Sequence, residues 1–133
     1  MLLVQHKKLD KWLPPGGHMD EGELPHECAL REVKEEIGIE VTLINDKFLE
    51  PFASATEEEI PAPICIFHET IEQYKDKPKH KHIDFIYLME ADEQTVTPLF
   101  AEITDAKWLT LEEILTYNTF PSLKAFAKKI IRT

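Results

Sequence analysis

The chain has 133 residues, 43% of them hydrophobic, which suits one globular domain with a real core and leaves little room for a second. Fifteen basic residues face 25 acidic ones, for a net charge of -10, so a broad basic surface for long nucleic acid is excluded. An acidic protein can still take phosphates when a divalent cation bridges the two negative partners, which points to a small, metal-chelated substrate.

No apolar run is long enough to cross a bilayer, and Met1–Val4 is too short for a signal peptide. Cys28 and Cys65 allow at most one disulfide, so a reducing cytoplasm is the expected setting.

In chain order, Leu2–Gln5 reads as a strand and Trp12–Pro14 as a short extended piece. Pro14-Pro15-Gly16-Gly17 forms a turn or loop. A helix is predicted from about Leu24 to Ile37, with Pro25 in its first turn and Gly38 as its C-cap. Strand-like runs follow at Val41–Ile44, Ile64–His68, Ile83–Met89 and Ala106–Leu109. The runs at 64–68 and 83–89 are apolar on both alternating faces and read as central strands covered on two sides. Thr110-Leu111-Glu112-Glu113 is a capping box for a short helix to about Tyr117. A last helix runs from about Pro121 to Ile131, with Leu123, Phe126, Ala127, Ile130 and Ile131 as its buried stripe. Its late Lys128, Lys129 and Arg132 complement the helix dipole. The simplest architecture is a mixed sheet with helices on both faces.

On a wheel of about 100° per residue, Leu30, Val33 and Ile37 form the core-facing stripe of the first long helix. Glu32, Glu35 and Glu36 fall on a neighbouring arc, where like charges repel. A solvated acidic face is one reading of that cluster. Gly16 and Gly17 favour another, because they let backbone carbonyls approach a cation held by the glutamates.

The segment Gly17-His18-Met19-Asp20-Glu21-Gly22-Glu23 is G-x5-E. Seven residues later comes Arg31-Glu32-Val33-Lys34-Glu35-Glu36-Ile37-Gly38-Ile39. Together they resemble the box of the Nudix (MutT-like) hydrolases, G-x5-E-x7-R-E-U-x-E-E-x-G-U with U aliphatic, in all seven identities and both aliphatic positions. The flanks are similar too: Leu2-Leu3-Val4-Gln5 ahead of Trp12, Pro15 before the box, and Trp108 followed by Thr110–Glu113 after it.

The resemblance implies a single α/β domain over residues 1–133, a Nudix-like α/β/α sandwich with a mixed central sheet. It implies a hydrolase that cleaves a phosphoanhydride bond in a nucleoside diphosphate linked to another moiety, through metal-activated water. Mg2+ or Mn2+ is the expected cofactor and a small-molecule nucleotide the expected substrate, with no membrane partner. Glu35 and Glu36 stand as direct metal ligands beside the Gly17 or Gly16 carbonyl. Glu32 either binds metal or takes a proton from the attacking water. Arg31 holds a glutamate in place. Glu23 pairs with Arg31 or reaches the metal through water, and Gly38 is structural. Some family members take the base from a later loop, where Glu102 is the candidate; a surface glutamate is the equal alternative.

One departure concerns the start. The family has a strand ahead of the segment resembling Leu2–Gln5, so a missing or shortened first strand is expected, and an unpaired neighbour leaves a homodimer open. Substrate marks are absent: no proline stands at Ala55 or Thr56 as in ADP-ribose enzymes, the prolines falling at Pro51 and Pro61, and no tyrosine at Thr56 or Glu57 as in dinucleoside polyphosphate enzymes. A nucleotide-sensing module of the same fold is the rival class, favoured by loss of a box glutamate; none is lost.

Other residues have weaker readings. Cys28 fits a small buried residue better than a reactive thiol. Trp12 suits base stacking or packing against the glycine loop, and His68 a satisfied core or edge position. The segment Lys75-Asp76-Lys77-Pro78-Lys79-His80-Lys81-His82 carries four lysines against one aspartate. His80 and His82 share one face of an extended chain. His82 or Lys81 is the candidate substrate contact; a solvated connection is the alternative.

Overall fold

The structure is a computed structural model describing residues 1–44, 50–92 and 95–131. The elements are β1 (Leu2–His6), β2 (Lys11–Leu13), α1 (Pro25–Ile37), β3 (Thr42–Leu43), β4 (Cys65–Ile71), β5 (His80–Ile86), β6 (Met89–Glu90), β7 (Ile103–Trp108), α2 (Leu111–Thr116) and α3 (Pro121–Ile130).

Neighbouring residues of β1 build the two halves of the core. Leu3 packs with Leu109, Ile114 and Ala127, beneath α2 and α3. Val4 packs with Val33 and Ile37 of α1 and with Ile39, Ile103 and Ala106. Adjacent strand residues point to opposite faces, so β1 is covered on both sides and an α/β/α sandwich results. Leu3 and Ile114 are fully buried; side chains of this size stabilise a fold by about 1.5–3 kcal/mol each. Ile103 and Ala106 face the same helix although three residues apart. The β1–β7 register shifts between Gln5 and His6, with Gln5 opposite Asp105 and His6 opposite Ile103, so the bulge corrects the alternation.

The helix boundaries follow local chemistry. Pro25 opens α1, and the Glu27 carboxylate accepts from the Leu24 N–H at 2.9 Å. Gly38 closes it in the left-handed region at φ 69°. A Cβ on Gly38 would also stand 2.8 Å from Leu99 Cδ1. The expected capping box at Thr110 and Glu113 forms in both directions. In α3 only Ala127 of the expected stripe is fully buried, while Phe126 meets Phe67 of β4 edge-on at 5.3 Å. Arg132 lies outside the described residues.

The sheet differs from expectation in two ways. The described strands form three sheets, β2-β1-β7, β3-β6 and β4-β5, and all four of their pairings are antiparallel. Nor are the runs at 64–68 and 83–89 covered on two sides. Strands β4 and β5 pair only with each other among the described ladders, and Ile66, Ile83 and Phe85 on one face are exposed. Apolar alternation cannot by itself show whether a second layer reaches both faces. The second run also divides, because β5 ends at Ile86 and β6 restarts at Met89 beside β3. No helix among the described residues is long and apolar enough to cross a membrane.

Candidate active site

The site is built where the glycine loop meets α1, and Arg31 organises it. Its Nε and Nη2 donate to the two oxygens of Glu23 at 2.7 and 3.0 Å. Its Nη1 donates to Glu32 and to Glu35, each at 3.0 Å. Nη2 also donates to the His18 carbonyl at 3.1 Å, which fastens the loop to the helix. One guanidinium thus holds three box carboxylates at fixed spacing, the use to which its planar fork is suited. Arg31 drives the Glu23 carboxyl down to about 2, through its hydrogen bonds first, helped by the Asp20 N–H.

Glu36 is different. It is buried at 7% exposure on the inner side of α1, and its Oε2 has no hydrogen-bond partner. Burial pushes its carboxyl up to about 7; Glu32 and Glu35 add to the rise, and the Gly16 N–H opposes it. An unmatched buried carboxylate oxygen beside two further carboxylates is costly. This is the donor set that a hard divalent cation satisfies with oxygen ligands, so the residues present fit the metal that the box implies.

Gly17 has a steric role. A Cβ there would lie 2.3 Å from one Glu32 oxygen and 2.8 Å from the other. The Glu32 carboxylate therefore occupies the space that any other residue would fill. At Gly16 nothing lies within 4 Å of such a Cβ, and its backbone N–H only tempers the rise of the Glu36 carboxyl.

The other expected residues distribute unevenly. Cys28 is buried, and its Sγ donates to the Gly17 carbonyl at 3.6 Å. Burial first, then Glu23, pushes the thiol up to about 11, so it is a small packing residue and not a nucleophile. Glu102 contacts Lys8 and lies 3.9 Å from His6; Lys8 above all holds its carboxyl below the usual range. Trp12 packs edge-on against Tyr117 at 5.1 Å, on the α2 side of the core. His68 is exposed on β4.

Strand β5 separates the two expected substrate contacts. Lys81 stands opposite Thr70 and donates to its hydroxyl at 2.7 Å. His82, on the other face, meets the ring of His18 edge-on at 5.4 Å and so adjoins the glycine loop. Sequence reasoning passed over Glu69, Asp84 and His18. The signal was available in part, since His80, His82 and Asp84 alternate along one strand face. A cavity of about 530 Å³ lined by Glu40, Val41, Thr42, Glu90, Ala91 and Asp92 lies at the β3–β6 pair and includes no box glutamate.

This arrangement matches a known family over the whole chain: the Nudix domain pattern covers residues 1–133. The chain belongs to the Nudix family. Among similar proteins is a Lactococcus lactis subsp. cremoris protein named "Probable DHNTP pyrophosphohydrolase", 31% identical over 112 residues, or 84% of this chain and 56% of that protein. The chain thus spans little more than half the length of that relative. An asymmetrical bis(5'-nucleosyl)-tetraphosphatase of Mus musculus is 29% identical over 125 residues, 94% of this chain and 73% of that one. A crystal structure of a Nudix-family hydrolase from Clostridium perfringens superposes with a TM-score of 0.77 at 31% identity, covering 96% of this chain and 85% of that one. The Nudix sandwich is therefore the fold.

Proposed function

We propose that this Nudix hydrolase cleaves a phosphoanhydride bond in a nucleoside diphosphate linked to a further group, using a divalent cation held at the box. The observation that carries the reading is the unpartnered, buried Glu36 oxygen set against Glu32 and Glu35. Glu35, Glu36 and the Gly17 carbonyl would hold the ion. When bound, Mg2+ or Mn2+ shields the diphosphate charge and lowers the pKa of a coordinated water. Glu32, which lies against Gly17, would bind the metal or take the water's proton. Arg31 keeps Glu32 and Glu35 in position through its Nη1. Glu102, paired with Lys8, is the alternative candidate base from a later loop.

The names of the two protein relatives favour polyphosphate chains among the substrates, including dinucleoside tetraphosphates. The absence of a tyrosine at Thr56 and Glu57 argues against the second kind. A hydrolysis screen of nucleoside triphosphates, nucleotide sugars and dinucleoside polyphosphates with Mg2+ and with Mn2+ tests the proposal. Turnover is expected to need the metal and to fall by on the order of 10²-fold or more in Glu35→Gln. Glu112→Gln, outside the box, is expected to change little. Full turnover in excess chelator, or equal losses in both variants, would refute the assignment.

A further inference from the structure

Away from the box, β4 and β5 bring a second set of donors together. Glu69 and His82 are directly opposed in the ladder, and Asp84 follows on the same face of β5. Glu69, His82 and Asp84 each offer a ligand atom, and these atoms all lie within 4.8 Å of one another. His82 and Asp84 are half-buried.

A neighbouring histidine supplies an independent observation. His80 Nδ1 lies 2.8 Å from the Pro78 carbonyl, which can only accept, so Nδ1 carries the proton in the neutral ring. Its Nε2 then accepts a hydrogen bond from His82 Nε2, 3.1 Å away, which fixes the orientation of the His82 ring. Metal-binding histidines are characteristically oriented in this way, by an acceptor that takes the other ring N–H.

We propose that Glu69, His82 and Asp84, with His80 orienting the His82 ring from behind, form a second cation site selective for a d-block divalent ion such as Zn2+ over Mg2+. Imidazole nitrogens suit zinc, whereas magnesium prefers oxygen ligands only. The ion would offset the charge of the two clustered carboxyl groups. Through His82 and its contact with His18 it would also brace the loop whose carbonyl Arg31 holds. The site shares no ligand with the box and does not depend on the proposed hydrolysis.

The test uses the full chain carrying Glu35→Gln and Glu36→Gln, which removes two box ligands. Titration with Zn2+ by calorimetry is expected to give one equivalent bound with micromolar or tighter affinity, and Co2+ to give visible d–d bands. Mg2+ is expected not to compete at millimolar concentration. His82→Ala and Asp84→Asn should each weaken Zn2+ at least 10-fold, and His80→Ala should weaken it less. Asp84→Asn is nearly isosteric, and circular dichroism checks that each variant folds. Absence of stoichiometric Zn2+ binding would overturn the site. So would binding unchanged by Asp84→Asn, which would leave only a bare histidine pair.

Discussion

Glu23 and Arg31 are joined by two parallel hydrogen bonds of 2.7 and 3.0 Å across eight residues of chain. The end of the glycine loop is thereby locked to the middle of the helix that carries the box glutamates. Removing the Glu23 charge should loosen both.

The lock should depend on pH with a definite sign. Glu23 titrates at about 2 in the folded protein, below its ordinary value of 4.5. The folded state therefore binds the proton more weakly than the unfolded state. The stabilisation is complete above the ordinary value and is lost as pH falls towards about 2. The Tm difference between the wild type and Glu23→Gln is expected to be largest above pH 5 and to narrow steadily below pH 4.5. A constant difference from pH 6 to pH 2.5 would contradict this origin.

Gly17→Ala should be an activity variant more than a stability variant. Its Cβ would take the place of the Glu32 carboxylate, which is the free end of a flexible side chain and can move aside. Turnover is expected to drop at least 10-fold with Tm nearly kept. Gly16→Ala keeps its backbone N–H and meets nothing within 4 Å, so its turnover should stay within a few-fold. Steady-state kinetics and thermal melts on the pair decide it.

Cys28 should prove inert in the folded protein. Its thiol is buried and pushed up to about 11, and thiolate is the species that alkylates. Iodoacetamide at pH 8 is expected to leave it unmodified until the protein is denatured. Cys28→Ser should keep hydrolysis within a few-fold, since a hydroxyl can also donate to the Gly17 carbonyl. Rapid modification of the native thiol would show that this segment opens.

The lysines near β5 should not act alike. Lys81 is engaged with Thr70 on the strand face opposite His82, while the Lys77 charge is felt by Glu102. Lys77→Ser is expected to raise KM, most at low ionic strength, with kcat nearly unchanged. Lys81→Ser should leave KM within a factor of two across salt concentrations. Equal effects would mean that the charge of the segment matters and its geometry does not.

The sequence by itself determined the local parts. Pro25 and Gly38 bound α1, Thr110 and Glu113 cap α2, and the spacing from Gly17 to Ile39 marked the box, because each rests on contacts within a few turns of chain. The periodicity placed Val33 and Ile37 in the core for the same reason. Only the tertiary structure decided the rest. Glu36 lies on the same acidic arc of the wheel as Glu35, yet the loop and the packing of α1 bury one and leave the other half-exposed. The apolar alternation of β4 and β5 could not show that Ile66 and Ile83 would stay uncovered. Nor could it show that Glu69 would meet His82 and Asp84, which lie 13 and 15 positions further along the chain. Burial and long-range juxtaposition depend on which surfaces the whole chain brings together, and no local pattern of residues encodes that.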